Sequence, residues 1–190
     1  MTDATNGAVP TQPSPTVHPE RTPPGPATPA IPTLYEWMGG QPALDRLMTL
    51  FYSRVPSDRL LGPVFAGMSA AHAEHVAMFV AEVLGGPPAY SAELGGAGGG
   101  HVRMIAHHLG RRLTEKHRTQ WVRLLLECAD EVGVPADPEF RSALVAYLEW
   151  GSRLAVINSQ RGVAMPDPSP MPKWGWGVPG GPYVPPEDGS

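Results

Sequence analysis

The sequence predicts an all-α domain flanked by two disordered, proline-rich extensions. Between residues 33 and 164 the apolar residues recur at helical spacing, and no sustained alternation of period two indicates a β-strand. The 24 prolines of the 190-residue chain are unevenly spread: nine lie in residues 1–32, eight in residues 166–186 and seven in between. The stretch between the extensions is long enough for one hydrophobic core. We therefore expect a single domain at 33–164.

The two extensions, residues 1–32 and 165–190, interleave proline with small and polar residues. This composition favours extended, solvated backbone and leaves no apolar face to bury. The C-terminal extension nevertheless contains Trp174 and Trp176. Because large aromatic side chains bury much surface, these two are expected to dock, either on the chain's own domain or on a partner protein.

The first two long helices have clear boundary signals. The first follows the glycine pair at 39–40 and has Pro42 in its first turn. Its apolar residues recur at steps of three and four: Leu44, Leu47, Met48, Phe51 and Val55. The second is expected to begin with Ser69 as its N-cap and to end at Gly85–Gly86, just before two prolines.

Further signals complete the domain. The glycine-rich stretch at 95–100 predicts a mobile loop rather than a phosphate loop, because no Gly-Lys-Ser/Thr follows it. A short helix is expected over 102–109. Thr114 is a good N-cap for a long helix that bears Trp121, and Asp137 followed by proline opens the last helix. Amphipathic helices of these lengths form a bundle.

Charge and cysteine content exclude several classes of function. The net charge is −4, which gives no electrostatic reason to bind nucleic acid. No apolar run reaches the roughly 18 residues of a membrane span. The single cysteine, Cys128, has no partner for an internal disulfide, and the first four residues lack the basic-then-apolar pattern of a secretory signal. We therefore expect a cytoplasmic protein without nucleic-acid or membrane partners.

Six of the seven histidines lie in the predicted domain. On the short helix, His101, Met104, Ile105 and His108 are spaced to share one face, whereas His107 is rotated by about 100°. His108 is therefore expected to point inward. An imidazole with a free lone pair against an apolar surface suits a metal or a haem iron.

The second helix adds His72, which shares a face with Val76 and Phe79 and is expected to face the same interior, while His75 lies nearer the rim. His72 and His75 are three residues apart, whereas the two histidines of a helical zinc-protease site are four apart, so a zinc site of that kind is not expected here. No Cys-x-x-Cys-His occurs either, so any haem is bound without thioether links.

Several segments of the predicted domain have a specific joint spacing. An aromatic-Tyr pair ends the first long helix, Gly-His stands eight residues before the inward histidine, and Trp follows that histidine by thirteen. The segments are TLYEWMGGQPALDRLMTLFYSRV, LLGPV, GGPPAYS, GHVRMIAHH, LTEKHRTQW and YLEWGSRLAVINSQ. Together they resemble the group II truncated haemoglobins, and the resemblance covers roughly residues 33–160.

This resemblance implies a two-over-two helical sandwich around one haem b that is bound non-covalently. It places the proximal iron ligand at His108 and the distal residues that stabilise a bound ligand at Tyr52 and Trp121. Phe65 and Phe79 correspond to aromatics that pack against the haem and along the distal helix. Phenolic and indole hydrogens aimed at a ligand with partial negative charge slow its release.

Three positions depart from the family pattern. His72 is a distal residue where group II members commonly carry a smaller side chain, and it either bonds the ligand, coordinates the iron or swings out as a gate. Val102 and Arg111 replace the family's usual Pro and Phe near the proximal histidine. The resemblance also implies haem contacts from Val76, Met104 and Tyr147, and propionate partners among His75, Tyr90, His101 and Arg112.

The implied function is reversible binding of dioxygen, nitric oxide or other diatomic ligands. Slow release favours redox work, as a nitric oxide dioxygenase or a peroxidase-like enzyme, over bulk oxygen transport. A reductase and a second copy of the chain in a homodimer are the protein partners this interpretation leaves open. The alternative is a helical interaction or haem-sensing module that recruits partners through its Pro-rich and Trp-containing tails.

Overall fold

The computed structural model describes residues 31–95, 100–165 and 167–176, and over these residues the chain is helical without a strand. The predicted arm at 1–32 lies outside the described residues except for its last two. The helices are α1 Leu34–Trp37, α2 Gly40–Arg54, α3 Leu61–Phe65, α4 His72–Val83, α5 Ala89–Leu94, α6 Gly100–Ala106, α7 Glu115–Glu131 and α8 Pro138–Asn158, with a 3-10 turn at Val55–Ser57.

Two pairs of long helices form the body of the domain. Helix α2 packs on α4, α7 packs on α8, and α2 also contacts α7. This arrangement confirms the predicted all-α, two-over-two sandwich. Each long helix buries one apolar face in a common core, whose largest fully buried side chains include Phe51, Tyr90 and Phe140. No helix of the described part of the chain combines the length and the apolar character that a membrane crossing needs.

The helix starts follow local capping chemistry. Thr114 caps α7, with its hydroxyl accepting the N–H of His117, and Asp137 caps α8 by accepting the N–H of Phe140. The expected N-cap at Ser69 is wrong, because residues 70 and 71 form a further turn and α4 begins only at His72. In that turn the N–H of His72 donates to the carbonyl of Ser69 at 3.0 Å.

The helix that precedes His108, the predicted iron ligand, ends earlier than the sequence predicts. Helix α6 ends at Ala106, so the predicted helical range 102–109 extends into a turn. There the N–H of His108 donates to the carbonyl of Ile105 at 2.8 Å, a three-residue bond that tightens the chain. Gly110, with φ +72°, then completes the reversal. His108 therefore lies in the turn just beyond α6.

The described part of the C-terminal extension, residues 167–176, packs on the domain instead of remaining free. The indole N–H of Trp174 donates to the carbonyl of Ala143 in α8, and that of Trp176 donates to the carbonyl of Pro32. These contacts correspond to the first of the two docking alternatives. Both tryptophans are partly buried and their indole N–H groups are satisfied, so they attach a segment that is otherwise rich in proline to the domain.

Candidate functional site

A tyrosine and a histidine from different helices meet at the distal side of the predicted site. Tyr52 lies in the last turn of α2, and His72 is the first residue of α4. The Tyr52 hydroxyl and the Nε2 of His72 form a hydrogen bond of 3.1 Å, and their rings meet edge to face with centroids 5.1 Å apart. The packing of α2 on α4 thus brings together two predicted ligand-stabilising residues.

Aromatic rings surround this pair. Phe65, at the end of α3, contacts both members, with centroids 5.9 Å from Tyr52 and 6.0 Å from His72. Phe51 contacts Tyr52 at 4.9 Å and Trp121 of α7 at 5.7 Å, both edge to face. The predicted distal residues therefore form one aromatic cluster built from four helices.

Burial keeps both polar groups of the pair neutral. It raises the pKa of Tyr52 well above its ordinary value, so the phenol keeps its proton at any physiological pH. Burial also lowers the pKa of His72 to about 4, and the nearby positive charges of His107 and Arg111 contribute to the same shift. A neutral imidazole beside a protonated phenol results, and this pair can donate one hydrogen bond to a third group.

His108 has the geometry of an oriented metal ligand. Its Nδ1 lies 2.9 Å from the carbonyl oxygen of Met104, and since a carbonyl only accepts, Nδ1 carries the proton and donates it. The lone pair therefore resides on Nε2. This is the carbonyl-bonded arrangement that fixes the tautomer of metal-bound histidines. Burial lowers the pKa of His108, so the imidazole is neutral as a ligand must be.

The predicted histidines of the site differ in burial. His72, at the start of α4, is partly buried. His107 is exposed, in agreement with the predicted rotation, whereas His108 is partly buried. His75 is partly buried on α4.

The remaining predicted haem contacts differ in exposure. Tyr90 is 1% exposed and packs edge to face on Phe79 at 5.2 Å, so it lies in the core and not at an edge. Arg112 is exposed, with its backbone N–H bound to the carbonyl of Ser159. Tyr147 is buried in α8, and Val76, Met104 and His101 are partly buried.

Two polar contacts near the site were not anticipated from the sequence. The buried Glu82 accepts from the backbone N–H and the hydroxyl of Ser91, which fixes α5 beside the end of α4. Ser169 bonds His101 across 68 positions of sequence. Partners so distant leave no local pattern, although the tryptophans at 174 and 176 did signal that this segment docks.

Comparison with known proteins places these features in a family. A family model of bacterial-like globins matches residues 33–150. Among curated proteins, the group 2 truncated hemoglobin YjbI of Bacillus subtilis is 32% identical over 121 residues, which is 64% of this chain and 86% of that protein.

Solved structures agree. The group II truncated hemoglobin from Bacillus anthracis superposes with a TM-score of 0.59 at 27% identity, covering 67% of this chain and 92% of that one. The truncated oxygen-avid haemoglobin from Bacillus subtilis gives a TM-score of 0.57 at 32% identity, with 66% and 99% covered. Over about two thirds of its length, this chain therefore shares its fold with these proteins.

Proposed function

The chain belongs to the bacterial-like globins, and within them to the group II truncated haemoglobins, and from this membership and the site geometry we propose that it uses haem b for redox chemistry on small ligands. As a member of this family it is a globin that binds haem and oxygen. The finer proposal is non-covalent haem b held by His108, with Tyr52, His72 and Trp121 on the ligand side.

The hydrogen bond from His108 Nδ1 to Met104 is the observation that carries the proposal. It presents the Nε2 lone pair of a neutral imidazole, as ligation to a metal requires. His107 next to it is exposed, and its side chain lies outside the apolar interior. The donor set of this chain thus fits haem, which when bound supplies an iron that binds diatomic ligands and exchanges electrons.

On the ligand side, the chain supplies hydrogen-bond donors in a largely apolar surrounding. Tyr52 keeps its proton because burial raises its pKa. Its O–H can donate to a bound ligand when Nε2 of His72 carries a proton and donates to the phenolic oxygen. Its aromatic neighbours Phe51 and Phe65 exclude water and so strengthen any hydrogen bond formed there. A ligand with partial negative charge is held more tightly than a neutral one by such donors.

Tight retention supports redox use over oxygen delivery, because delivery requires rapid release. The chemistry we propose is conversion of nitric oxide to nitrate or consumption of peroxide, with a separate reductase to restore the reduced state.

The alternative of an interaction module stays a prediction. The internal contacts of Trp174 and Trp176 do not support it, since both indole N–H groups already have partners within the chain.

An absorption spectrum of the protein supplied with haem tests the proposal. We expect a strong Soret band that disappears in His108→Gly and survives in His107→Gly, the adjacent matched control. A parent without the band, or a band that survives in His108→Gly, contradicts the proposed ligand.

A second experiment tests the redox step. The oxygenated protein mixed with nitric oxide should yield nitrate in one turnover, and release of unreacted nitric oxide would contradict the proposed redox function.

A further inference from the structure

Residues 167–176, which we call the C-terminal strap, join helices that are far apart in sequence. The strap contacts the end of α4, the start of α6 and the side of α8, as well as α1 through Trp37. These contacts lie outside the pairings of α2 with α4 and of α7 with α8 that form the body of the domain.

The strap is anchored firmly at its C-terminal end. The backbone N–H of Trp174 donates to the carbonyl of Val83 at 2.8 Å, at the end of α4, and its indole N–H donates to Ala143 in α8 at 3.0 Å. The Trp174 ring packs on Tyr147 and Trp150, with centroids 6.0 and 5.6 Å apart. Both N–H donors of this residue are thus bonded within the chain.

Trp176 adds a second anchor. Its indole N–H donates to the carbonyl of Pro32 at 2.7 Å, and its ring meets Trp37 edge to face at 5.4 Å. It also contacts the buried Phe140 at 6.5 Å. With two anchors of this kind, the residues before them are held against the domain.

Those preceding residues contact the start of α6. Ser169 Oγ lies 3.0 Å from Nδ1 of His101, a hydrogen bond, and the His101 ring stacks on Trp150 at 6.5 Å with 25° between the planes. Met171 lies against the first residue of α6, since a Cβ at Gly100 would be 3.4 Å from its sulfur. The first turn of α6 is therefore held between the strap and α8.

Helix α6 needs external support. It has only seven residues, too few to be stable alone, and its main helical neighbour is α5, which has six. His108 lies in the turn two residues beyond its end, with Nδ1 bound to the carbonyl of Met104 in α6. Because one short helix carries both His101 and the carbonyl that orients His108, a shift at its start moves the proximal imidazole.

We propose that the strap is a positioning element of the haem site, in which Ser169, through His101 and α6, sets the place and angle of His108. This inference rests on the proposed function, in which His108 holds the haem. Ser169 acts as a positioning residue and is not expected to touch the haem.

The test compares full-length variants loaded with haem. Ser169→Ala removes the bond to His101 and leaves the tryptophan anchors in place, whereas Ser169→Thr keeps a hydroxyl. Lys173→Ala, at an exposed residue of the same segment, is the matched control. Haem loss to excess apomyoglobin is followed at the Soret band, and the iron–histidine stretching band of the ferrous form is recorded by resonance Raman.

We expect Ser169→Ala to lose haem about fivefold faster than the parent, the effect of one neutral hydrogen bond, with a shifted iron–histidine band. Ser169→Thr should restore both values, and Lys173→Ala should match the parent. Trp174→Phe, which removes one anchoring bond, should act in the same direction; if it fails to fold, the Ser169 variants decide. Parental haem loss and an unshifted band in Ser169→Ala overturn the role of the strap and leave the globin function standing. A parent that takes up no haem refutes the proposed function and this inference with it.

Discussion

Replacing Tyr52 with phenylalanine isolates the phenolic O–H on the ligand side of the site. The ring remains, and with it the edge-to-face contacts with Phe51 and Phe65, so the packing cost is small. The 3.1 Å bond to His72 is lost. A net hydrogen bond contributes about 1 kcal/mol, so the free energy of unfolding of the haem-free protein should fall by about that amount.

The effect on a bound ligand is larger, because a hydrogen bond to a partly charged acceptor contributes about 1.5–3 kcal/mol. At about 1.4 kcal/mol per tenfold change, oxygen dissociation from Tyr52→Phe should be about 10- to 150-fold faster than from the parent. The rate is measured by stopped-flow, with dithionite to consume the released oxygen.

Tyr35→Phe provides the matched control. The Tyr35 hydroxyl accepts the backbone N–H of Gln41 at 3.0 Å, so its removal also costs one hydrogen bond, outside the aromatic cluster of the site. Its stability should fall by a similar amount while oxygen dissociation stays at the parental rate. Equal dissociation rates in Tyr52→Phe and the parent would refute the assignment of Tyr52 as a donor to the bound ligand. Equal acceleration in both variants would show that the rate follows stability and not the O–H group.

Three further predictions concern the folded chain without haem. Burial lowers the pKa of His72 from its ordinary 6.5 to about 4, so between these pH values the unfolded chain binds a proton at this residue that the native chain does not. The free energy of unfolding should therefore rise with pH over this range, and it should rise less in His72→Gln. Urea titrations of both proteins at pH 4.5 and pH 7 measure the rise, and an equal rise in the parent and the variant would contradict the lowered pKa. Glu82→Ala removes both hydrogen bonds to the partly buried Ser91 and should lower the free energy of unfolding in urea by about 2–3 kcal/mol, whereas the exposed Glu93→Ala should change it very little. Gly85 has φ +93°, and a Cβ at this position would lie 2.9 Å from the Cβ of Thr33. Gly85→Ala should therefore lower the melting temperature of the protein, and an unchanged melting temperature would contradict the expected backbone and steric strain.

Elements that depend on neighbouring residues in sequence were predicted well. Thr114 and Asp137 start their helices at the expected positions because an N-cap bonds the N–H only three residues on. The short helices α1, α3 and α5 were not predicted, since four to six residues have no periodicity of their own. Helix α5 is fixed by Glu82 from the preceding helix, which no local pattern reveals.

The candidate site likewise combines residues whose placement the sequence predicts with residues whose placement it does not. The spacing of the apolar residues predicts that His108 points inward and that His107 does not. In the structure His108 is partly buried and His107 is exposed. The role of His108 as an iron ligand stays a prediction. Tyr90 was expected at a pocket edge, but its ring fills the core against Phe79. Whether an aromatic at helical spacing faces the core or its rim depends on how the helices are rotated, which their sequences alone leave open.

The placement of the site residues explains why such a domain needs support from outside its long helices. Tyr52 lies in the last turn of α2, His72 is the first residue of α4, and His108 lies beyond the end of α6. Residues at helix ends are held by fewer backbone hydrogen bonds than residues in helix interiors, so tertiary contacts must fix their positions. On the distal side the bond between Tyr52 and His72 joins two long helices directly. On the proximal side no long helix carries the histidine, and the bond from Ser169 to His101 supplies the equivalent constraint.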